Sequence, residues 1–432
     1  MKKFIFVLSC ILVFSSLTKA ASSVTSSQPN IVFIFSDDHA TQALSAYGHQ
    51  ISKIAQTPHI DRVATQGIRF DRCLVGNSIC GPSRATILTG TYSHINKFYS
   101  NERTAFDGSQ PTFPKILQAN NYQTALIGKW HLASDPTGFD HWEILPGQGS
   151  YYNPDFVTPN GTHREEGYVS ELVTKKALTW LQHQRNENQP FLLMVQHKAP
   201  HRDWSPAPKY LDLYDNVTFP EPDTLFDDYA GRGSAARDQD MTIDKSMFLG
   251  SDLKVDAFFT NRYERMNDAQ IKIFKEAYTS ENKFLLENQL SGKELVRWKY
   301  QRYLKDYVRC VKSVDDCVGE LWNWLDEKDM LNNTIFVYSS DQGFYLGEHG
   351  WFDKRFMYDE SYRTPLVMSW PKVISPGSVN SNLVSNLDFA QTFLDAAGIE
   401  AHPRMQGESL LPLLHGDTNA EWRKSHYYHY YE

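Results

Sequence analysis

The stretch "NIVFIFSDDHA", residues 30–40, gives the clearest indication of the fold. Apolar β-branched and aromatic side chains run without interruption from Ile31 to Phe35, which is typical of a strand buried on both faces. The run is followed by Asp37 and Asp38, two adjacent carboxylates that repel each other unless a cation lies between them. The stretch therefore predicts a buried strand that delivers charged side chains at its carboxyl end.

Three further stretches repeat this pattern. Each has a short apolar run followed by polar residues: "YQTALIGKWHL" (122–132), "PFLLMVQHKAPHRDW" (190–204) and "NTIFVYSSDQG" (333–343). Helical patterns such as "TPHIDRVATQG", "FPKILQANN" and "VSELVTKKALTWLQHQR" lie between them. Strands that alternate with helices predict an α/β fold with a large mixed, mostly parallel sheet sandwiched by helices.

In such a sheet, ligands bind at the carboxyl ends of the strands. A single aspartate after a strand is more often a helix cap or a turn residue, but four polar strand ends are hard to explain in that way. Carboxylates and a side-chain amide favour a hard cation, Ca²⁺ or Mg²⁺, over zinc. The candidate ligands are Asp37, Asp38, Asp341 and Gln342.

Basic side chains accompany these candidate ligands in the sequence. They are Arg84, Lys129, His131, His201 and Lys354, the last in "GEHGWFDKRF". A cation with several basic groups around it is suited to a tetrahedral oxyanion, either phosphate or sulfate.

The N-terminus has the pattern of a secretory signal. "MKK" precedes the apolar "FIFVLSCILVFSSL", and small residues follow near Ala20. We predict a cleavable signal peptide over residues 1–20, no stable membrane insertion, and a periplasmic or secreted protein. Lipid attachment at Cys10 is an alternative, although it would leave almost no apolar region. The net charge of −8 without a basic block argues against nucleic-acid binding.

Four cysteines remain after the signal: Cys73, Cys80, Cys310 and Cys317. Apolar spacing around Cys310 and Cys317 indicates one helix, on which residues seven apart are about 10 Å from each other along the axis. A disulfide cannot span that distance, so both are predicted to be buried thiols. Cys80 lies in "NSICGPSRATILTG" (77–90) and is open to four interpretations: a disulfide partner, for example of Cys73, a metal ligand, a nucleophile or a buried small residue.

"CGPSR" (80–84) resembles the Cys-x-Pro-Ser-Arg signature of the type I, formylglycine-dependent sulfatases of the alkaline-phosphatase superfamily. Other blocks resemble that family in the same order, among them "PNIVFIFSDDHA", "TALIGKWHL", "SDQGFYLGEHGWFDKRFMYDESYRTPLVMSWP" and "NLDFAQTFLDAAGI". The resemblance implies a catalytic domain over residues 21–415. We expect residues 416–432 to begin a C-terminal subdomain, with the first strand of its sheet, that this sequence leaves truncated.

The resemblance implies that a formylglycine-generating maturation enzyme oxidises Cys80 to Cα-formylglycine (3-oxoalanine). One hydroxyl of its hydrate would attack sulfur and displace an alcohol, and the second would allow sulfate to leave. The modified Cys80 would complete the metal site of Asp37, Asp38, Asp341 and Gln342 around one ion, Ca²⁺ in preference to Mg²⁺. Gln342 stands where many members have asparagine.

The resemblance also gives roles to the basic residues. Arg84 would support the formylglycine hydrate, with Lys129 and His131 beside it and His131 as the base of the second step. His201 would donate a proton to the leaving oxygen, and Lys354 would bind the sulfate. His197 and Lys198 are candidates for substrate binding; the alternative for both is an ordinary strand-end position on a solvated lip.

The implied reaction is hydrolysis of sulfate esters on a sulfated carbohydrate, either an algal polysaccharide such as ulvan or carrageenan, or a glycosaminoglycan. Aromatic residues in "HWEILPGQGSYYNPDF" could contact such a sugar or pack over the sheet edge. Arg232 and Arg237 could bind sulfate or carboxylate, or lie on a solvated helix face. Two other functions stay open: a phosphodiester or phosphonate monoester hydrolase of the same superfamily, and an exported, inactive sugar-binding homologue.

Overall fold

One large sheet runs through the computed structural model, which describes residues 28–102, 105–258 and 263–432. The predicted signal peptide, residues 1–20, lies outside these ranges. The strands are β1 (Asn30–Ser36), β2 (Ile68–Leu74), β3 (Gln123–Lys129), β4 (His141–Leu145), β5 (Asp155–Thr158), β6 (Gly161–Arg164), β7 (Phe191–His197), β8 (Thr334–Ser340), β9 (Tyr345–Leu346), β10 (Phe352–Asp353), β11 (Arg363–Ser369), β12 (Ser378–Asn380) and β13 (Val384–Ser385).

Along the chain, most of the α-helices alternate with the strands of the large sheet. They are α1 (Gln50–Ile54), α2 (Pro58–Thr65), α3 (Cys80–Thr89), α4 (Ser93–Asn96), α5 (Phe113–Ala119), α6 (Val169–His183), α7 (Ser234–Asp238), α8 (Asp268–Asn288), α9 (Gly292–Glu327), α10 (Asp359–Tyr362), α11 (Asp388–Ala396) and α12 (Leu411–Leu414). None of these described helices is long and apolar enough to cross a membrane.

The sheet confirms the predicted mixed, mostly parallel architecture. Its order is β12-β2-β11-β8-β1-β7-β3-β4-β5-β6, with β13 beside β2. The strands β8, β1, β7, β3 and β4 run parallel, whereas β11 is antiparallel to both β8 and β2. The four strands predicted from the sequence are thus neighbours in the centre of the sheet, and their carboxyl ends open on one edge.

The register of the central strands brings their ends to one level. Ser36 of β1 lies opposite Ser340 of β8 and opposite His197 of β7. The residues after these three positions are Asp37, Asp341 and Lys198. Because parallel strands keep their register, the polar residues that follow them must emerge side by side.

The continuous apolar character of β1 is explained by two hydrophobic layers. Val32 and Ile34 pack in one buried cluster with side chains of α2, α6 and α9. Ile31, Phe33 and Phe35 pack in a second cluster with side chains of α3, α5 and α11. Successive side chains of a strand point to opposite faces, so a strand covered on both faces must be apolar at every position.

The four described cysteines are all buried free thiols. Cys310 and Cys317 lie on α9, as predicted. Cys73 in β2 and Cys80 at the start of α3 are not joined, so the disulfide interpretation of Cys80 is wrong.

Residues 416–432 contain no strand, in contrast to the expected start of a small sheet. The backbone N–H of His429 donates to the Gly76 carbonyl at 2.9 Å, and the Tyr428 hydroxyl contacts the Arg355 carbonyl. The segment therefore packs against the loop before Cys80 and against the neighbour of Lys354, and its backbone finds loop partners instead of a strand.

A buried ion pair holds this C-terminal segment to α11. Arg423 donates to both carboxylate oxygens of Asp388 at 2.7 and 2.6 Å. Asp388 is fully buried, and its carboxylate also accepts the backbone N–H groups of Ser385 and Glu408, both at 2.8 Å. The carboxylate thus joins the start of α11 to two later segments of the chain.

Replacing Arg423 with methionine should destabilise the protein by about 3 kcal/mol, because it leaves the Asp388 carboxylate buried without its counter-ion. The measurement is the midpoint of thermal unfolding, with Arg404→Met, at an exposed position, as the control. Equal midpoints for the two variants would show that the ion pair does not hold the segment.

Candidate active site

Three carboxylates meet at the carboxyl ends of β1 and β8. Asp37, Asp38 and Asp341 each place an oxygen within 4.8 Å of the others, and all three side chains are fully buried. Carboxylates at this separation repel each other strongly away from water. The cluster therefore requires positive charge, from side chains or from a cation.

The backbone at the end of β1 turns so that consecutive side chains reach the same site. In a strand, Asp37 and Asp38 would point to opposite faces, but Asp38 adopts a left-handed conformation with φ of 66°. Its N–H donates to Asp341 Oδ1 at 3.1 Å, and its carbonyl accepts the Tyr307 hydroxyl at 2.6 Å. These bonds fix both aspartates relative to β8 and α9.

Arg84 connects three strand ends. Its Nε and Nη2 donate to Asp341 Oδ2 at 3.0 and 2.9 Å. Its Nη1 donates to Gln196 Oε1 at 3.0 Å and to the Lys129 carbonyl at 2.5 Å. This side chain is only 2% exposed, and its planar fork satisfies acceptors from β3, β7 and β8 at once.

Two lysines neutralise the other aspartates. The Lys129 ammonium contacts the carboxylate of Asp37 and the amide oxygen of Gln148, whereas Lys354 donates to both oxygens of Asp38 at 2.7 Å. Burial raises the pKa of Asp38 to about 7, and the charge of Lys354 opposes this shift. Burial alone would lower the pKa of Lys354, but Asp38 raises it.

Cys80 begins α3 beside this cluster. Its side chain is fully buried, and its Sγ lies 3.9 Å from Asp38 Oδ1. Burial raises the pKa of the Cys80 thiol, and the charges of Asp341 and Asp38 act in the same direction. This shift disfavours the thiolate, which is the nucleophilic form of cysteine.

The two predicted catalytic histidines lie beside the cluster. His131 is half-buried, and its Nδ1 has no hydrogen-bond partner in the described part of the chain. Burial, Lys129 and Arg84 lower the pKa of His131 to about 2, so the ring is neutral. His201 donates from Nδ1 to the Arg202 carbonyl at 2.5 Å, which leaves Nε2 facing Asp38 Oδ2 at 3.8 Å.

His197 and Lys198 are buried, so the solvated-lip alternative is wrong for both. Neither ring nitrogen of His197 has a hydrogen-bond partner among the described residues, and burial lowers the pKa of His197 to about 4. The Lys198 ammonium lies 4.7 Å from the ring centre of Tyr151. The parallel register at β7 thus buries both residues at the same edge as Asp37.

The structure separates the two arginines of the loop around α7. Arg232 pairs with Asp227 at 2.6 Å and contacts His349 Nδ1 at 3.1 Å. Arg237 is exposed on α7 and donates to the Arg232 carbonyl at 3.0 Å. Arg232 is therefore occupied by Asp227 and His349, and Arg237 lies on a solvated helix face.

Several contacts of the site were absent from our sequence interpretation. Gln196 is a polar residue that follows directly on an apolar run, a pattern from which a role in the site could have been predicted. Gln148 lies between two glycines in "PGQGS". Asn386 donates to the Ser83 hydroxyl at 2.9 Å, and that hydroxyl contacts the Asp341 carbonyl. No pattern in the sequence indicates Asn386, because it follows a short edge strand far from the motif.

The residues present fit a hard cation. Asp37 Oδ1 and Gln342 Oε1 are buried oxygens without a hydrogen-bond donor among the described residues. Two such acceptors beside Asp38 and Asp341 match the oxygen ligands that Ca²⁺ and Mg²⁺ prefer. Asp37, Cys80 and His201 form a second possible ligand group that shares Asp37 with the first.

This chain is similar to known proteins of one family. The family described as Sulfatase matches residues 29–399. An N-acetylglucosamine-6-O-sulfatase of Bacteroides thetaiotaomicron is 50% identical over 422 residues, which is 94% of this chain and 74% of the relative. The N-acetylglucosamine-6-sulfatase of Homo sapiens is 28% identical over 423 residues, 92% of this chain and 66% of the relative.

A solved structure has the same fold. It is described as a complex with its substrate D-glucosamine-2-N,6-O-disulfate, and it is 49% identical with a TM-score of 0.91 over 94% of this chain and 84% of that one. The family match and these identities confirm the resemblance drawn from "CGPSR" and the strand-end blocks. The chain belongs to the sulfatase family and is a sulfuric ester hydrolase.

Proposed function

We propose that this chain hydrolyses the 6-O-sulfate ester of a glucosamine residue in a sulfated carbohydrate of the glycosaminoglycan class. The observation that carries the proposal is that Cys80 lies beside three buried carboxylates and Gln342 at the carboxyl ends of the central strands. The chain that forms this site is 50% identical to an N-acetylglucosamine-6-O-sulfatase. The names of the relatives favour glucosamine over the ulvans and carrageenans that the sequence also allowed.

Cys80 acts, in this proposal, as the precursor of formylglycine, made by a formylglycine-generating maturation enzyme. The buried, protonated thiol supports this reading because it is poorly suited to attack by itself. Oxidation would give a hydrated aldehyde, whose two hydroxyl groups allow sulfate to be transferred and then released.

One Ca²⁺ would be held by Asp37, Asp38, Asp341, Gln342 and the modified Cys80, with Mg²⁺ as the second choice. When bound, it supplies positive charge beside the nucleophile and the sulfate. Asp37 Oδ1 and Gln342 Oε1 support this assignment, since both are buried acceptors that receive no hydrogen bond from the described residues. Asp37 Oδ1 lies 3.6 Å from Arg84 Nη2, and the amide nitrogen of Gln342 contacts the Asp38 carboxylate.

The basic residues have separate roles in this proposal. Lys129 and Lys354 are the ammonium groups nearest the cluster and would bind the sulfate oxygens, while Arg84 holds Asp341 and supports the oxidised residue. His131, whose Nδ1 has no hydrogen-bond partner among the described residues, would accept the proton of the second hydroxyl. The negative charge of a bound sulfate ester would have to raise its lowered pKa for this step.

His201 would transfer a proton to the leaving oxygen through Nε2, since its Nδ1 proton is bound to the Arg202 carbonyl. Burial and three nearby lysines lower the pKa of His201. The negative charge of a bound sulfate ester acts in the opposite direction and would favour a proton on Nε2.

The signal-like residues 1–20 support a periplasmic or secreted enzyme, with residues 21–415 as its catalytic domain. A polymeric, anionic substrate is met outside the cytoplasm, which is consistent with export. Arg84, Lys129 and Lys354 are paired with three carboxylates, so a bound cation would supply the local positive charge that attracts this substrate despite the net charge of −8.

The substrate assignment can be tested by co-expressing the chain with a maturation enzyme. Sulfate release is measured from N-acetylglucosamine-6-sulfate and galactose-6-sulfate, and hydrolysis of an aryl phosphodiester is measured in parallel. We expect the glucosamine ester to react fastest. Cys80→Ala should lose both sulfate release and labelling by an aldehyde-specific hydrazide, whereas Cys310→Ala, at another buried thiol, should keep the label. A faster phosphodiester reaction, or equal labelling of Cys80→Ala, would contradict the proposal.

Adding Ca²⁺ to chelator-treated protein should raise its thermal unfolding midpoint, because the ion relieves repulsion among three buried carboxylates. A ligand at 100 times its Kd contributes about 2.7 kcal/mol. Asp341→Asn should abolish most of the shift, and Asp326→Asn, an exposed aspartate of α9, should leave it intact. A shift of the same size in both variants would place the ion elsewhere.

Arg84→Lys should lower kcat/KM by about 100-fold, because one ammonium cannot satisfy the acceptors from three strands that the guanidinium joins. Arg84 also belongs to the motif that a maturation enzyme would read. The rate must therefore be divided by the aldehyde content of each preparation, measured by mass spectrometry. Arg164→Lys, at an exposed position, is the control; an unchanged normalised rate would exclude Arg84 from catalysis.

A further inference from the structure

A polar cavity of about 230 Å³ lies beside the proposed active site. Its walls include Tyr151, Tyr152, Lys198, Asp203 and Arg265. We call it the Lys198 cavity.

Two short connections join the Lys198 cavity to the catalytic residues. Gly149, on its wall, directly follows Gln148, which contacts the Lys129 ammonium. Tyr151 donates from its hydroxyl to the His201 carbonyl at 2.5 Å. A sugar that presents its sulfate to Lys129 and His201 therefore has this cavity within reach of its other substituents.

Lys198 is the unusual group of this cavity. It is only 4% exposed, and its ammonium makes a long contact of 3.5 Å with the Arg202 carbonyl. Across the described ranges of the chain it forms no ion pair with a carboxylate. A buried ammonium without a counter-ion is costly, so its position is suited to an anion that arrives from outside.

The other charged groups of the cavity have protein partners. Arg265 pairs with Asp155 at 2.8 Å and donates to the Asn153 carbonyl at 2.9 Å. Asp203 accepts the Ser205 hydroxyl at 3.4 Å. Burial lowers the pKa of Lys198, and the charges of Asp203 and Asp38 offset part of this effect. Lys198 is thus the cation through which a ligand would be recognised.

We propose that the Lys198 cavity binds a second anionic group of the substrate while the scissile 6-O-sulfate lies at Cys80. This proposal rests on the proposed function. Two sources provide such a group in the glycosaminoglycan class: an N-sulfate on the same glucosamine, or the carboxylate of a neighbouring uronic acid. In either case Lys198 donates a charge-assisted hydrogen bond to the anion and selects for it.

Binding can be measured without catalysis in a Cys80→Ala background with Ca²⁺ present. The probes are glucosamine-2-N,6-O-disulfate and N-acetylglucosamine-6-sulfate, which differ in the charge at the 2-position. We expect tighter binding of the disulfate, and about a tenfold loss of that preference in Lys198→Met, the usual effect of one charge-assisted hydrogen bond. Lys175→Met, at an exposed position of α6, is the matched control and should keep the preference.

A second pair of probes distinguishes the two sources. N-acetylglucosamine-6-sulfate linked to a uronic acid is compared with the same sugar linked to galactose. A loss of preference in this pair but not in the first would identify the uronic carboxylate as the occupant. If Lys198→Met changes neither preference, or weakens all four ligands by one factor, the Lys198 cavity does not recognise a second anion and the proposal is wrong.

Two further measurements distinguish a loss of anion recognition from a loss of stability and from a failure of the proposed function. If Lys198→Met lowers the thermal unfolding midpoint, Lys198→Gln replaces it in the binding measurements, and the same outcomes support or contradict the proposal. Sulfate release by the matured wild-type enzyme is assayed in parallel on both glucosamine probes. No release from either would overturn the proposed function, while a Lys198-dependent difference in Kd could still support the binding site.

Discussion

Mutual repulsion of Asp37, Asp38 and Asp341 is the constraint on which the rest of this site depends. Three carboxylates buried at adjacent strand ends are each paired with a cation, because Arg84, Lys129 and Lys354 reach them from α3, β3 and the segment after β10. Each cation comes from a different part of the chain. The cluster can therefore exist only when the central sheet is assembled with the parallel register that it has.

The motif around Cys80 is joined to this cluster at more than one point. Arg84 binds the Asp341 carboxylate, the Ser83 hydroxyl contacts the Asp341 carbonyl, and Asn386 donates to that hydroxyl. The start of α3 is thereby fixed against the end of β8. The same contacts that hold the helix in place also set the distance between Cys80 and the carboxylates.

Buried lysines also organise the chain between β7 and α9. Buried Lys254 donates to the carbonyls of Asp203, Trp204 and Asp252 and pairs with Asp306 at 3.0 Å. Buried Lys299 donates to three more carbonyls of this region. These two lysines each donate to three carbonyls, whereas Lys198 makes one long contact with the Arg202 carbonyl.

The sequence by itself determined the central strands, the α/β class and the three aspartates of the carboxylate cluster. Uninterrupted apolar runs and the polar residues that end them depend on local order, and the Cys-x-Pro-Ser-Arg motif is contiguous, so both can be read along the chain. Only the tertiary structure decided that Cys73 and Cys80 stay apart, that His197 and Lys198 are buried, and that residues 416–432 pack against loops. Likewise, only the tertiary structure showed the contacts of Gln148 and Asn386 with the site, because their partners are distant in the chain. Burial and pairing across the sheet are set by register and layer packing, which no local pattern contains.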